Sequence, residues 1–559
     1  MPPIVRTLER PVAGARPDRA HARVSRSQWA EWVAGAALVV GGAVRIEQFL
    51  WRRSLWLDEA LVANNIVARS YGGLLHQLDG KQGAPIGWLW VQRTMVLIFG
   101  NNEYALRLVP LAAGIAAVAL VHSLARHVLG PWPAAAAAWM LALSPQAVRY
   151  SVEVKQYSSD LAVSAALIFL ALQSVERKVL HGRQDRRAIL AWGWLAAFAV
   201  WWSHPAIFVV AGTAVMLAVD AIRRDGIRGR DARVVVRASV PWVLSFALDW
   251  FVSLRPLGHD PFLRAFWSAG YPPKPIGPGS LLSWLVRAPA HLVVDPGGIV
   301  LTGLGAVVVV VGLLAALLRR PIRSGMVAAP FAVGLAAACA GSYPLRGRLA
   351  LWVLPVLYVG LAGILALALN AKRPAVVAGA TALVVVIGWA PAAAVFGVAR
   401  HPTTFQDTRP LLQAVHRQLR PGDQVWVHAE DNAAMRFYGF ITGTVLTHEV
   451  QDRPADLCVG NPNLRSVGSG HRVWFIYAYH GSDAPIDEEP VLVEHLRSAG
   501  HLLEQLERPA AHAYLFDFSA APDVAGVGIH DIPCVTVTVA PTVRPTGLKT
   551  GVLGTGRSV

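Results

Sequence analysis

Residues 301–318 read LTGLGAVVVVVGLLAALL, eighteen positions without an ionisable group, closed by Arg319 and Arg320. As an α-helix this run is about 27 Å long, close to the thickness of a bilayer's hydrocarbon core. Residues 376–395 form a second such run. Working outward from these two, comparable apolar segments lie at 29–50, 104–129, 132–148, 159–175, 189–202, 205–222, 238–254, 326–341 and 349–369; with 298–318 and 375–398 they make about eleven. Only 15% of the 559 residues are charged and 54% are hydrophobic, against roughly 25% charged in a soluble domain. The expected class is a mainly α membrane protein with about eleven transmembrane helices.

The formal net charge of +16 does not point to nucleic acid once its placement is considered. Basic groups precede the first span (Arg6, Arg10, Arg16, Arg19, Arg23, Arg26) and recur at 183–187, 223–237, 319–323 and 372–373, between apolar segments. They are dispersed over short loops rather than gathered with aromatics on one surface. An odd number of spans puts all of them on the cytoplasmic side, with the N-terminus inside and the C-terminus outside. Arg52 and Arg53 go against this pattern. Cys339 falls in a span, and Cys458 and Cys534, in the C-terminal region, are either a disulfide or two free thiols; the three have no metal or redox spacing.

Residues 1–28 read as a disordered basic cytoplasmic tail, and 29–399 as a transmembrane domain carrying long outer loops at 51–103 and 255–297. Within the first loop, 85–99 has the pattern of an interfacial helix. From 400 to 540 the character changes. Alternating runs at 424–428, 473–479 and 513–518 predict strands, while 408–419 and 490–506 have helical periodicity, so an extracytoplasmic α/β domain is expected, followed by a flexible tail at 541–559.

Ionisable groups near a membrane boundary are costly to dehydrate and often mark function. The first outer loop holds adjacent acids, Asp58 and Glu59, close to Trp51 and Trp56. Such a pair suits a general base, although a helix N-terminus also favours acids through its dipole. The second polar stretch is Arg149-Tyr150-Ser151-Val152-Glu153-Val154-Lys155-Gln156-Tyr157-Ser158-Ser159-Asp160. A helix through it would align Glu153, Gln156, Tyr157 and Asp160 on one stripe, with Lys155 beside it; a sugar-facing surface and a solvated helix start fit this spacing equally. The third, Ser342-Tyr343-Pro344-Leu345-Arg346-Gly347-Arg348, puts two arginines where positive-inside logic disfavours them. A phosphate ligand would account for Arg346 and Arg348, with Tyr343 at its side, and so would snorkelling to headgroups. His204 offers a hydrogen bond or a structural ring. Lys81 either meets a phosphate or anchors the interfacial helix.

Several of these stretches occur in the order found in a known family. The loop Leu57-Asp58-Glu59-Ala60, the helix Pro85-Ile86-Gly87-Trp88-Leu89-Trp90, the run Phe99-Gly100-Asn101-Asn102-Glu103-Tyr104-Ala105-Leu106-Arg107 and then Tyr150-Ser151-Val152-Glu153-Val154-Lys155-Gln156-Tyr157 resemble the GT-C fold membrane glycosyltransferases. The likeness covers about residues 29–400 and is closest to the protein O-mannosyltransferase and aminoarabinose transferase (glycosyltransferase family 39-like) branch. It implies a polyprenyl-phosphate sugar as donor, an extracytoplasmic glycan, lipid or protein acceptor, and inversion at the anomeric carbon. It further implies that Asp58, with Glu59, is the catalytic acid pair, that Arg346 and Arg348 hold the lipid phosphate, and that Glu153 and Tyr157 orient sugar or acceptor. Ala84 stands before Pro85 where relatives have Lys, which leaves Lys81 without a direct counterpart. Some members use a divalent cation such as Mg or Mn and others none, so the metal is not carried over. A transporter or flippase of lipid-linked sugars is the rival class; it predicts charges in mid-span and symmetry between the halves of the chain, whereas here Asp249 is the main charge within a span.

Overall fold

The computed structural model describes residues 25–181, 186–400, 404–427, 432–438, 445–447, 472–478 and 488–519. The basic tail before residue 25, Cys458, Cys534 and the C-terminal tail lie outside them. The chain divides into two units.

The first unit comprises residues up to Leu50, Ala84–Trp88 and Arg107–Arg400. Among the described residues, nine helices of the chain are long and apolar enough to cross a membrane: Arg26–Leu50, Glu103–Leu129, Tyr157–Glu176, Ala206–Asp225, Arg230–His259, Thr302–Arg319, Pro321–Cys339, Gly347–Ala371 and Pro374–Arg400. The two remaining expected spans are shorter helices. The run at 132–148 breaks into Pro131–Ala142 and Pro145–Tyr150, because Ser144 caps the second piece through its hydroxyl and Pro145 cannot continue the first. The other is the 17-residue helix Arg186–Trp202.

Lipid offers no hydrophobic drive between helices, so close contact depends on small residues. A Cβ on Gly312 would run into the Gly360 carbonyl and one on Gly363 into the Gly312 carbonyl, so the lack of side chains lets Thr302–Arg319 and Leu354–Ala371 touch along their backbones. Leu354–Ala371 is the central helix, buried along most of its length. Arg45 is fully buried, an expensive placement that its hydrogen bonds offset. Its guanidinium donates to the carbonyls of Gly41, Leu141 and Ala142 and to Ser151 Oγ. It therefore caps the end of helix Pro131–Ala142 and fixes the start of the polar stretch at 151–156.

The second unit comprises Trp51–Gly83, Leu89–Leu106 and the chain from His401 onward. Its sheet has the order β2-β1-β3-β5-β4, with β1 Gln424–Val427, β2 Val445–Thr447, β3 Arg472–Tyr477, β4 His501–Arg508 and β5 Ala511–Asp517. β1, β2 and β3 run parallel, while β5 is antiparallel to β3 and to β4. Side-chain alternation assigns each face its own helix. Val425, Val427, Trp474 and Ile476 pack with Leu411, Leu412 and Val415 of helix Thr408–Gln418. Trp426, Val473, Phe475 and Phe516 pack with Val493 and Leu496, from helix Glu488–Ala499. The expected helix at 490–506 is thus a correction: it stops at Ala499, and 501–508 is the edge strand β4, whose alternating exposure of Leu, Glu and Gln side chains is a strand pattern.

Candidate functional site

Each unit gathers a cluster of the polar residues. In the second unit, Asp58 and Glu59 occupy the first turn of helix Leu57–Ala68, where the helix dipole favours acids. Glu59 is buried and Asp58 is partly exposed. The loop before them is pinned from the C-terminal segment. Tyr438 Oη accepts from the Leu55 amide at 2.8 Å, Gln406 Oε1 accepts from the Leu57 amide at 2.7 Å, and Ser54 Oγ bonds Asp407 and the Arg409 amide, each at 3.1 Å. Trp56 packs against Phe405, with ring centroids 5.8 Å apart. Trp51 is exposed. Arg52, anomalous by charge placement, has a reason within this unit: its Nε lies 3.1 Å from buried Glu103, which Arg409 and Tyr438 also contact. Lys81 is exposed at the end of the turn Asp79–Lys81. That turn requires Gly80, with φ of 71° and a Cβ position only 2.7 Å from Leu61.

In the first unit, residues 151–160 are all buried, which removes the solvated-helix reading. The helix begins only at Tyr157, so the expected four-residue stripe is corrected: Tyr157 and Asp160 share a helical turn, whereas Glu153, Lys155 and Gln156 sit in the bend before it. Glu153 is paired with Arg149 at 2.6 Å. Asp160 faces the Ser203 hydroxyl, and its Oδ1 has no hydrogen-bond partner among the described residues. His204 follows Ser203, and its Nε2 is likewise without a hydrogen-bond partner among the described residues; burial pushes its imidazole down to about 4.

Tyr343, Arg346 and Arg348 join this cluster. Tyr343 Oη donates to the Leu349 carbonyl at 2.8 Å, and burial pushes its phenol far above the ordinary range. The Arg348 guanidinium lies over the rings of Trp267 at 5.4 Å and Tyr157 at 5.9 Å, held by cation–π attraction. Gly347, between the two arginines, has a φ of 52° and would put a Cβ 3.2 Å from Asp295 Oδ2. Asp295 was not singled out from the sequence, nor were Arg149 and Trp267 as members of a site. The available signal was a carboxylate in Asp-Pro-Gly-Gly immediately before a long apolar run. Burial raises the Asp295 pKa, while Arg346, Arg149 and Arg348 oppose that rise.

Two residues beyond Asp295, Gly297 lines an almost wholly apolar cavity of about 360 Å³ together with Ile299, Trp139, Tyr358, Leu361 and Trp389. Tyr358 Oη closes on the Gly297 carbonyl at 3.1 Å. Among the described residues, no group of three or more His, Cys, Asp or Glu side chains could hold a metal ion.

The first unit is a helical bundle with guanidinium groups over aromatic rings, buried carboxylates and an apolar cavity, and its long apolar helices make this a polytopic membrane protein. The profile of the dolichyl-phosphate-mannose-protein mannosyltransferase family matches residues 83–246. None of the curated protein sequences matches the chain. Among solved structures, ArnT from Cupriavidus metallidurans bound to undecaprenyl phosphate is similar at 14% identity and a TM-score of 0.50, over 88% of this chain and 98% of that one. The apo form of that ArnT gives 14% identity and 0.49, over the same shares. The oligosaccharyltransferase AglB from Archaeoglobus fulgidus, in complex with an inhibitory peptide and a dolichol-phosphate, gives 12% and 0.44, over 73% of this chain and 64% of that one. The chain has the GT-C fold of the membrane glycosyltransferases and resembles their mannosyltransferase and ArnT branch.

Proposed function

We propose that this protein transfers a sugar from a polyprenyl-phosphate donor to an acceptor outside the cytoplasm, with inversion at the anomeric carbon. The observation that carries the reading is the grouping of Arg149, Arg346 and Arg348 around Asp295, with the apolar cavity beginning two residues further along the chain. Guanidinium groups suit phosphate oxygens, and an apolar cavity suits a hydrocarbon tail. An amphiphile with an anionic head matches both. The undecaprenyl phosphate in the similar ArnT structure belongs to the same ligand class.

In the reaction, the acceptor oxygen attacks the anomeric carbon while Asp58 takes its proton. The bond from that carbon to the phosphate oxygen breaks, and its electron pair leaves with the lipid phosphate, whose charge Arg346 and Arg348 stabilise. Glu59 supports Asp58. Glu153, Lys155, Gln156, Tyr157, Asp160 and His204 bind sugar or acceptor through their polar atoms, while Tyr343 and Lys81 assist at the phosphate. The N-terminus is cytoplasmic, and the sheet domain with residues 51–83 faces the other compartment.

The decisive variant is Asp58→Asn. It keeps size and hydrogen bonding but removes the base, and loss of a positioned base costs roughly 10²–10⁴ in rate. Purified variant protein should bind donor and transfer at that reduced rate; unchanged transfer removes Asp58 from the catalytic role.

A further inference from the structure

The arginine cluster contains its own anions. Arg149, Arg346 and Arg348 all act electrostatically on Asp295, and Arg149 is paired with Glu153 at 2.6 Å. Asp295 is partly desolvated by its surroundings and still reaches solvent, as does Arg346. Gly347, between the two arginines, would put a Cβ 3.2 Å from Asp295 Oδ2, and its backbone is in a conformation that L side chains rarely adopt.

We propose that Asp295 is a positioning and discriminating residue: it holds the Arg346-Gly347-Arg348 turn in place and offsets its charge, so that the cluster accepts the donor's singly charged phosphate and lets go of the more negative phosphate left after transfer. The inference rests on the lipid-phosphate reading above. A sugar-phosphate-lipid donor is a phosphodiester with a single negative charge, as in a nucleic-acid backbone. Cleavage of its bond to the sugar leaves a phosphomonoester, which near pH 7 carries about −1.5 to −2. Three guanidiniums without a carboxylate would hold that product more tightly than the donor, and turnover would stall on release. Asp295 repels the added charge where the leaving phosphate develops it. Glu153 is directed at Arg149 and leaves this task to Asp295.

The test compares two probes, a short-chain polyprenyl phosphate and its methyl phosphodiester, for binding to wild-type protein and to Asp295→Asn, Asp295→Ser and Asp295→Glu in detergent. Both neutral variants should tighten the monoester by about tenfold or more, the scale of one unit charge at a few ångströms in a protein environment, and the diester by less. The monoester-to-diester affinity ratio therefore rises, while Asp295→Glu keeps the wild-type ratio. Under turnover the neutral variants should show a lower kcat with a KM that does not rise, together with stronger inhibition by polyprenyl phosphate. A merely structural residue would weaken both probes alike, and an unchanged or reduced ratio overturns the proposal. So does a failure of both neutral variants to yield monodisperse protein, since Asp295 would then serve assembly. If wild-type protein binds neither probe, the lipid-phosphate reading itself falls; if it binds both and the ratio does not respond, only the role of Asp295 does.

Discussion

Replacing Glu103 with Gln should loosen the loop that carries the acid pair while leaving the bundle folded. Glu103 has a side chain only 2% exposed and accepts from Arg52 Nε at 3.1 Å, Arg409 Nη1 at 2.5 Å and Tyr438 Oη at 3.1 Å. The Arg52 side chain is 43% exposed, so its ion pair is screened and contributes at most about 1 kcal/mol. Arg409, at 23% exposure, is the stronger partner, and a hydrogen bond to a charged group is worth about 1.5–3 kcal/mol. Together the change costs about 2–4 kcal/mol, which equals a factor of about 30 to several hundred in a local opening equilibrium. Hydrogen exchange reads this directly, because the amides of Leu55, Leu57 and Arg409 bond to Tyr438, Gln406 and Ser54 in the same network. Their protection should fall by that factor in Glu103→Gln and by roughly fivefold or less in Arg52→Gln. Equal, small losses in both variants would refute the assignment of Glu103 as the anchor of this loop.

Other outcomes follow from the same structure. His204 supplies a pH dependence with a defined sign. Its folded value is about 4 against 6.5 ordinarily, so the unfolded chain takes up its proton first and stability falls as pH drops from about 6.5 to about 4. The full loss is about 3 kcal/mol, and thermal melts of His204→Gln should lack it. Arg45→Lys should destabilise the bundle by at least about 2 kcal/mol, because a single ammonium does not reach the carbonyls and hydroxyl that the planar guanidinium satisfies, and a variant melting like wild type would contradict this. Gly347→Ala forces a side chain into left-handed backbone beside Asp295 and should cost about 1–2 kcal/mol in a thermal melt, with weaker polyprenyl phosphate binding. A cysteine at Trp51, which is 52% exposed, should react with an impermeant reagent added outside intact cells; labelling only from within would reverse the topology.

The spans were legible because hydrocarbon demands long uninterrupted apolar runs, and among the described residues nine of those read from the sequence are helices long and apolar enough to cross a membrane. The acid pair was legible as adjacent carboxylates beyond the first span, and the arginine pair as cations in an unexpected loop. Asp295 was not, because its meaning depends on Arg149 and Arg346, which lie 146 and 51 positions away and approach only through packing. Glu103 is legible as part of a family motif, but its partner Arg409 lies 306 positions further along the chain. Glu153 to Asp160 do not form one helical stripe because the chain bends at 153–156, and no local signal shows that a polar stretch bends before its helix begins. Helical periodicity alone runs on into β4, and Gly500, at the Ala499 boundary, is the stop signal that separates the two.

The central claim is that a polyprenyl-phosphate sugar is this protein's donor. The direct measurement is release of polyprenyl phosphate by the purified protein in lipid, supplied in turn with a panel of polyprenyl-phosphate hexoses, pentoses and amino sugars together with envelope acceptors. At least one donor should be consumed, with matching transfer of its sugar and a rate about 10² or more lower in Asp58→Asn. Binding and consumption of no member of the panel, by protein that melts cooperatively, would contradict the account and favour transport.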